Sequence, residues 1–173
     1  MQTLAFIINI LGLGLAITAS LIKGKKIGTI LLLVLLSNSL IAIGYLISGT
    51  GINGAASCLL ACAQTFINYY FEAKSKPLPK ALSGIYLMSF IVVNIAVGGM
   101  SIATVLAILA CASFVASISQ KNGKNYRLCA MTNCIFWLVY DLITASYSAT
   151  ITHGTLLAVS AAGFIIHDIR KKA

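Results

Sequence analysis

Long apolar segments alternate with short polar gaps along the whole chain. Each segment contains about 20 residues, the length that an α-helix needs to cross the hydrocarbon layer of a membrane. The predicted spans cover residues 3–22, 28–48, 52–71, 81–98, 101–119, 128–147 and 149–169. Because the gaps hold only a few residues, we predict a single all-α integral membrane domain over residues 1–173, without a water-soluble domain.

The basic residues lie in every second gap. All twelve Lys and Arg side chains fall within residues 23–26, 74–80, 121–127 and 170–172, and the gaps between these groups contain none. Positively charged loops stay on the cytoplasmic side of a membrane. This alternation predicts seven transmembrane helices, with the N-terminus outside and the C-terminus in the cytoplasm.

The composition supports a membrane protein and excludes other classes. The chain is 60% hydrophobic and only 9% charged, far from the composition of a soluble domain. Its net charge of +9 could attract nucleic acid, but the charges are divided among four groups and form no continuous stripe. We therefore expect the lipid bilayer as its surroundings and no nucleic-acid partner.

The reactive side chains form no recognisable catalytic or metal-binding pattern. All five cysteines lie inside predicted spans, and no Cys-x-x-Cys spacing occurs. Neither a disulfide framework nor a zinc site is indicated. No His, Ser or Cys has the neighbours of an activated nucleophile. We predict no metal, no cofactor and no enzymatic activity.

Matching residues at a constant offset suggest an internal duplication. Asn38 matches Asn133, and Tyr45 matches Tyr140, both at an offset of 95 residues. Short apolar matches at similar offsets occur near the ends of the first and third spans. Several matches in the same order indicate that spans one to three correspond to spans five to seven.

The duplication predicts two three-helix bundles of the same orientation. The first repeat covers about residues 3–71, the linker helix about 81–98, and the second repeat about 101–169. A single connecting span is what parallel repeats require, because two connecting spans would invert the second copy. Parallel repeats place a transport site near the membrane midplane, between halves that rock against each other.

The sixth span carries a stripe of polar and aromatic side chains. Asn133, Trp137, Tyr140 and Asp141 follow one another at i, i+4, i+7 and i+8, so that they share one helix face. Unpaired polar groups cost several kcal/mol in lipid. We therefore expect this face to point into the bundle and to form one wall of a solute-binding cavity.

The opposite wall is predicted from the first repeat. Span two contributes Asn38 and Tyr45, and span three contributes Gln64 and Asn68. An alternative for the repeated asparagines is an interhelical hydrogen bond that holds the two halves together. Both interpretations place the amides inside the bundle.

Asp141 is the only acidic residue deep within a predicted span, and two interpretations are open. It either binds a proton, a cation or a solute, or it reaches interfacial water about 9 Å from the outer end of its helix. Glu72 and Asp168 lie beside basic residues at cytoplasmic ends, where solvated pairing accounts for them. His153 and His167 are expected at the two interfaces.

The last third of the chain resembles a known family. The resemblance is carried by Trp137-Leu138-Val139-Tyr140-Asp141, Ala145-Ser146, Gly154, Phe164-Ile165-Ile166 and the basic ends Arg127 and Arg170. These residues resemble the bacterial inner-membrane YgjV-type proteins, which look like members of the superfamily of SWEET sugar transporters, PQ-loop proteins and PnuC-type vitamin transporters. The resemblance implies a bacterial inner-membrane location, a three-plus-one-plus-three helix arrangement and transport of a small solute.

The resemblance gives Trp137 the place of a pocket tryptophan, but three features depart from SWEETs. Span one lacks the Pro-Gln motif, span seven has no asparagine where SWEETs have one, and Ala42 occupies the place of a second tryptophan on span two. A proline-hinged gate and a particular substrate therefore do not follow from the resemblance.

Three functions are open at this point. The first is a facilitator or uniporter for a small neutral or weakly charged solute such as a sugar, nucleoside or vitamin, working by alternating access. The second is a non-transporting interaction, assembly or sensor protein, and the third is a proton- or cation-coupled carrier that uses Asp141. A polar stripe that faces an internal cavity favours transport, whereas an exposed polar flank favours a protein partner. A homo-oligomer is compatible with each.

Overall fold

The described part of the chain folds into seven α-helices. The computed structural model describes residues 2–22, 27–48, 52–144 and 147–169. The helices are α1 (Gln2–Leu21), α2 (Ile27–Ser48), α3 (Ile52–Ala73), α4 (Lys80–Gly98), α5 (Ile102–Ile118), α6 (Gly123–Ile143) and α7 (Tyr147–Phe164), and α7 continues into a π-helical turn, Ile165–Ile169. No strand occurs in these four ranges. The predicted all-helical class with seven helices is confirmed.

Among the described residues, the start of α6 is the largest departure from the predicted helix boundaries. The helix begins at Gly123 rather than at residue 128, because the Asn122 side chain caps it and accepts a hydrogen bond from the backbone N–H of Asn125 at 2.9 Å. Ser101 caps α5 in the same way through the N–H of Thr104, at 3.1 Å. The earlier start brings Arg127 into the helix, whereas the sequence pattern assigned it to a loop.

The outer surface of the helices is apolar, as lipid requires. Within the described ranges, four segments are long and apolar enough to cross a membrane: Thr3–Leu21, Ile27–Gly44, Ala81–Gly98 and Thr150–Ile169. The helix α5 is also apolar but has only 17 residues, and α3 and α6 carry more polar side chains. Large apolar side chains such as Phe6 point outward. A surface of this kind fits a bilayer rather than water.

The helices pack against one another in chain order. Each helix contacts the next, and α7 also contacts α1, so that the described helices form a closed ring. Packing is closest within α1–α3 and within α5–α7. At one crossing the Ser37 hydroxyl donates to the Gly12 carbonyl at 2.7 Å, and a Cβ on Gly12 would lie 2.9 Å from Ile41 Cγ1. Glycine at this position permits the close approach of α1 and α2.

One end of the ring is filled by a hydrophobic cluster. This end, which we call the basic-loop end, is where α1, α3, α5 and α7 finish and where loop residues 74–79 and 119–122 lie. The cluster contains Ala19, Ile27, Ile30, Leu31, Val34, Ile118 and Tyr126, which come from α1, α2, α5 and α6. Buried apolar side chains therefore join the first three helices to the last three at the basic-loop end.

Candidate functional site

A cavity of about 490 Å³ lies inside the ring, and all seven helices contribute residues to its wall. This volume lies within the range of pockets that bind small molecules. The wall combines hydroxyl and amide groups with the aromatic rings of Phe90, Phe114 and Trp137. The cavity is therefore suited to a solute that presents both polar groups and an apolar face.

The predicted stripe on α6 forms one side of this cavity. Asn133, Trp137, Tyr140 and Asp141 all line it, as their helical spacing requires. Thr144, one turn further along, lies at the exposed end of the helix. The direction of the stripe is inward, towards the cavity rather than towards an exposed flank.

The predicted opposite wall is only partly present. Asn38 lines the cavity, whereas Tyr45 lies on α2 with its side chain outside the described part of the structure. Gln64 and Asn68 are buried but do not line the cavity. The Gln64 side-chain amide donates to the Tyr86 carbonyl at 3.3 Å, and that of Asn68 donates to the Ile118 carbonyl at 2.8 Å.

The placement of Gln64 and Asn68 corrects the interpretation of α3. Both amides bond backbone carbonyls of neighbouring helices, α4 and α5, where helix packing excludes a solute. Ser57 and Cys58, nearer the start of α3, line the cavity instead. Helical periodicity correctly indicates that α3 has an inward polar face, but the deeper part of that face meets helices rather than the cavity.

The two repeated asparagines differ in their hydrogen bonding. The Asn133 side-chain amide donates to the Ala110 carbonyl at 2.7 Å, which joins α6 to α5. The Asn38 amide nitrogen is buried and has no hydrogen-bond partner among the described residues, although Asn38 lines the cavity. Leaving a buried donor unpaired costs about 1–3 kcal/mol. The bond of Asn133 lies within the last three helices, so that it does not hold the two halves together.

Asp141 is buried and pairs with His153. Only 3% of its side chain is exposed, and its Oδ2 lies 2.6 Å from His153 Nδ1. The interpretation of Asp141 as a shallow carboxylate that reaches interfacial water is therefore wrong. His153 was expected at the interface, but its side chain is only 21% exposed and it lines the cavity. This contact brings the first part of α7 against the end of α6.

Two aromatic rings complete the surroundings of this pair. The Trp137 and His153 rings are stacked, with centroids 5.8 Å apart and an interplanar angle of 10°. The Tyr140 ring meets Trp137 edge-on at 5.2 Å. Asp141, His153, Trp137 and Tyr140 thus form one connected group, which we call the acid–imidazole cluster. The sequence pattern identified three of its members and missed His153.

A second ion pair joins α6 to the end of α7 at the basic-loop end. Arg127 is fully buried, and its Nε and Nη2 lie 2.9 and 2.8 Å from Asp168 Oδ2. Its Nη1 donates to the Ile22 carbonyl, just beyond α1, at 2.8 Å. The expectation of a solvated Asp168 is therefore wrong, because α6 starts early enough to bury its partner. The pairing of Glu72 with the exposed Lys121, at 2.9 Å, agrees with the expectation.

The described residues contain no group of three or more His, Cys, Asp or Glu side chains that could hold a metal ion. The acid–imidazole cluster provides one carboxylate and one imidazole, which is fewer than a structural zinc site uses. The cluster offers hydrogen bonding and ring stacking.

A helical bundle with an apolar outer surface and an internal cavity lined by both polar and apolar side chains belongs to the class of polytopic membrane proteins. Within that class, the model of the Imp-YgjV family, described as a bacterial inner membrane protein, matches residues 3–171. The chain therefore belongs to the Imp-YgjV family of bacterial inner membrane proteins. It matches no curated protein and no solved structure. The resemblance to YgjV-type proteins and the assignment to this membrane are confirmed.

Proposed function

We propose that the protein is a membrane transporter, a facilitator or uniporter for a small neutral or weakly charged solute such as a sugar, nucleoside or vitamin. The observation that carries the proposal is the cavity of about 490 Å³, into which Asn38 presents an amide nitrogen without a partner in the described structure. A solute with a carbonyl or hydroxyl oxygen would satisfy that donor. The function is binding and passage rather than catalysis.

We infer that all seven helices span the membrane as two three-helix bundles joined by α4. The packing order supports this arrangement, because α1–α3 and α5–α7 pack closely in sequence and α4 contacts α3 and α5. Asn38 and Asn133, which correspond in the two repeats, both line the cavity. By the resemblance to SWEET-like proteins and the placement of the basic residues, the basic-loop end faces the cytoplasm.

The wall of the cavity favours an uncharged solute. The described lining contains no Lys or Arg side chain, and its one carboxylate is paired with an imidazole. Hydroxyl and amide groups of Ser57, Asn94 and Asn133 would recognise polar substituents, and the Trp137 ring would contact a planar or sugar ring. A strongly anionic solute would meet Asp141 without a compensating cation.

Alternating access requires the two halves to separate at the basic-loop end. There the hydrophobic cluster of α1, α2, α5 and α6 closes the ring. The Arg127 bond to the Ile22 carbonyl and the 3.1 Å bond between Ser160 and Ser20 join the halves on the α1–α7 side. In the proposed cycle the solute enters the cavity from the opposite end while the basic-loop end is closed. Rocking of the two halves then breaks the contacts at the basic-loop end.

The direction of the polar stripe favours transport over the alternative of an interaction protein. The polar side chains of α6 point into the cavity, and the outer surface presents apolar groups to lipid. A protein partner bound through a polar flank would need the opposite arrangement. An interaction protein could still bind its partner through the apolar outer surface, within the lipid, and the test below addresses that alternative.

A thermal-shift screen tests the proposal. The purified protein is heated with members of three solute classes: sugars, nucleosides and vitamins. A solute that binds only the folded state raises the unfolding temperature. We expect one class to do so, and we expect Asn38→Ala to weaken its binding about fivefold through loss of one neutral hydrogen bond.

Matched variants make the screen specific to the cavity. Asn125→Ala removes an exposed asparagine near the start of α6 and should leave binding unchanged. Trp137→Ala should weaken binding about tenfold or more through loss of ring contact. Binding that survives both cavity substitutions, or a protein that no solute stabilises and that purifies with a stoichiometric membrane partner, would favour the interaction protein.

A further inference from the structure

The acid–imidazole cluster places a titratable pair at the wall of the cavity. His153 Nδ1 lies 2.6 Å from Oδ2 of the Asp141 carboxylate, and only 3% of the Asp141 side chain is exposed. An ionised carboxylate can only accept a hydrogen bond, so that in a neutral imidazole at this position the hydrogen would lie on Nδ1 and Nε2 would be the basic nitrogen. Histidine is the side chain that ordinarily gains and loses a proton near neutral pH.

The surroundings of this pair contain few other groups that could change charge. On its own helices the nearest are Tyr140 beside Asp141 and Cys134 two turns below, both on α6. On the other helices that line the cavity, α5 contributes Cys111 and α3 contributes Cys58, and the described part of α1 contributes no titratable side chain. Arg127 and the other charges of α6 and α7 lie towards the basic-loop end.

We propose that His153 and Asp141 form a proton-binding site of the cavity, with His153 Nε2 as the acceptor. One proton from the solution that fills the cavity converts the imidazole to imidazolium, and the carboxylate stays ionised. The pair then changes from a charge of −1 to a charge of zero. The bound proton is held by the ion pair to Asp141 and by the face of the Trp137 ring, which attracts a cation.

The consequence for transport rests on the proposed function. Closing a low-dielectric cavity over an unpaired charge is unfavourable, whereas closing it over a neutral ion pair costs less. The protonated cavity therefore closes more readily, and the proton travels with the solute. The facilitator then becomes a proton-coupled carrier, with His153 as the group that carries the proton.

A fluorescence titration without any solute tests the proton site. Trp137 is the only tryptophan in the chain, and its ring is stacked on His153. An imidazolium in contact with an indole quenches its fluorescence more strongly than a neutral imidazole does. We expect the tryptophan emission of the purified protein to fall in one reversible transition as the pH is lowered from about 8 to about 5.

Variants assign the transition to its residues. His153→Gln should abolish it, and His167→Gln, which changes the only other histidine of the chain, should preserve it. Asp141→Asn should change the midpoint of the transition, because the carboxylate that pairs with the imidazolium is gone. A transition that survives His153→Gln, or its absence from the unaltered protein, would overturn the proposal.

The measurement separates this inference from the proposed function. Proton binding is read without a transported solute, so a solute screen that fails leaves the titration result valid. Solute binding without a fluorescence transition would retain the facilitator and remove the proton coupling. If the His153→Gln variant does not fold, the isosteric Asp141→Asn variant still tests the proposal. A fluorescence transition at the same pH as in the unaltered protein would contradict proton binding by the pair.

Discussion

The two ion pairs between α6 and α7 lie at opposite ends of α6 and differ in kind. At the basic-loop end Arg127 is fully buried, pairs with Asp168 and also holds the Ile22 carbonyl beyond α1. At the other end Asp141 pairs with His153 at the cavity wall. Arginine keeps its charge at every pH of interest, whereas histidine does not. The same two helices are thus joined by a permanent pair at one end, and at the other by the pair for which we propose a proton-dependent contact.

Breaking the permanent pair should have the largest effect. Arg127→Met removes the guanidinium and leaves the Asp168 carboxylate and the Ile22 carbonyl without their partner. Removing one member of a buried pair costs about 3–5 kcal/mol. We expect a large fall in unfolding temperature in detergent. Lys124→Met, at an exposed position on the same helix, should change the unfolding temperature little. Equal effects of the two substitutions would contradict a stabilising role of the permanent pair.

Disrupting the close contact between α1 and α7, beside the permanent pair, should lower the unfolding temperature less. A Cβ on Gly163 would lie 2.7 Å from the Ser20 carbonyl oxygen and 3.4 Å from Arg127 Cδ, so that Gly163→Ala must push α7 away from α1. Overpacking of this kind costs about 1–3 kcal/mol. The control is Gly84→Ala, where a Cβ meets nothing within 4 Å. Only Gly163→Ala should lower the unfolding temperature.

The proton-dependent pair should determine how uptake responds to pH. If one proton accompanies the solute, uptake into proteoliposomes rises by up to about tenfold for each unit of falling pH. Asp141→Asn should abolish this rise, because protonation of His153 then produces an unpaired positive charge instead of a neutral ion pair. An unchanged pH dependence in this variant would rule out the proton-coupled carrier.

The smallest effect is expected at the exposed ion pair. Lys121 and Glu72 are joined at 2.9 Å, with Lys121 largely in solvent. Exposed pairs contribute about 0–1 kcal/mol. Glu72→Gln should therefore shift the unfolding temperature far less than Arg127→Met and leave uptake unchanged. A large shift would indicate that exposed and buried ion pairs contribute equally to the stability of this protein.

The helices and the α6 stripe could be predicted because they depend on local periodicity. A segment of about 20 apolar residues forms a helix in lipid, where every backbone polar group must be bonded within it. The spacing of Asn133, Trp137 and Asp141 fixes one helix face regardless of neighbours. The cavity side of α6 follows from these two facts alone.

The remaining features depend on which helices meet and in what register. Periodicity shows that Gln64 and Asn68 share an inward face, but not that this face meets α4 and α5 rather than the cavity. The pairing of His153 with Asp141 requires α7 to lie antiparallel beside α6 at one particular height. Arg127 resembled a loop residue because its neighbours are polar, and the Asn122 cap alone marks the earlier start of α6.

The central claim, that the cavity carries a solute across the membrane, is tested most directly by uptake into proteoliposomes. The solute is the one that stabilises the purified protein in the thermal-shift screen. We predict uptake above that of protein-free liposomes, reduced by Asn38→Ala and by Trp137→Ala and unaffected by Asn125→Ala. Uptake equal to that of protein-free liposomes, with the stabilising solute bound, would contradict the account.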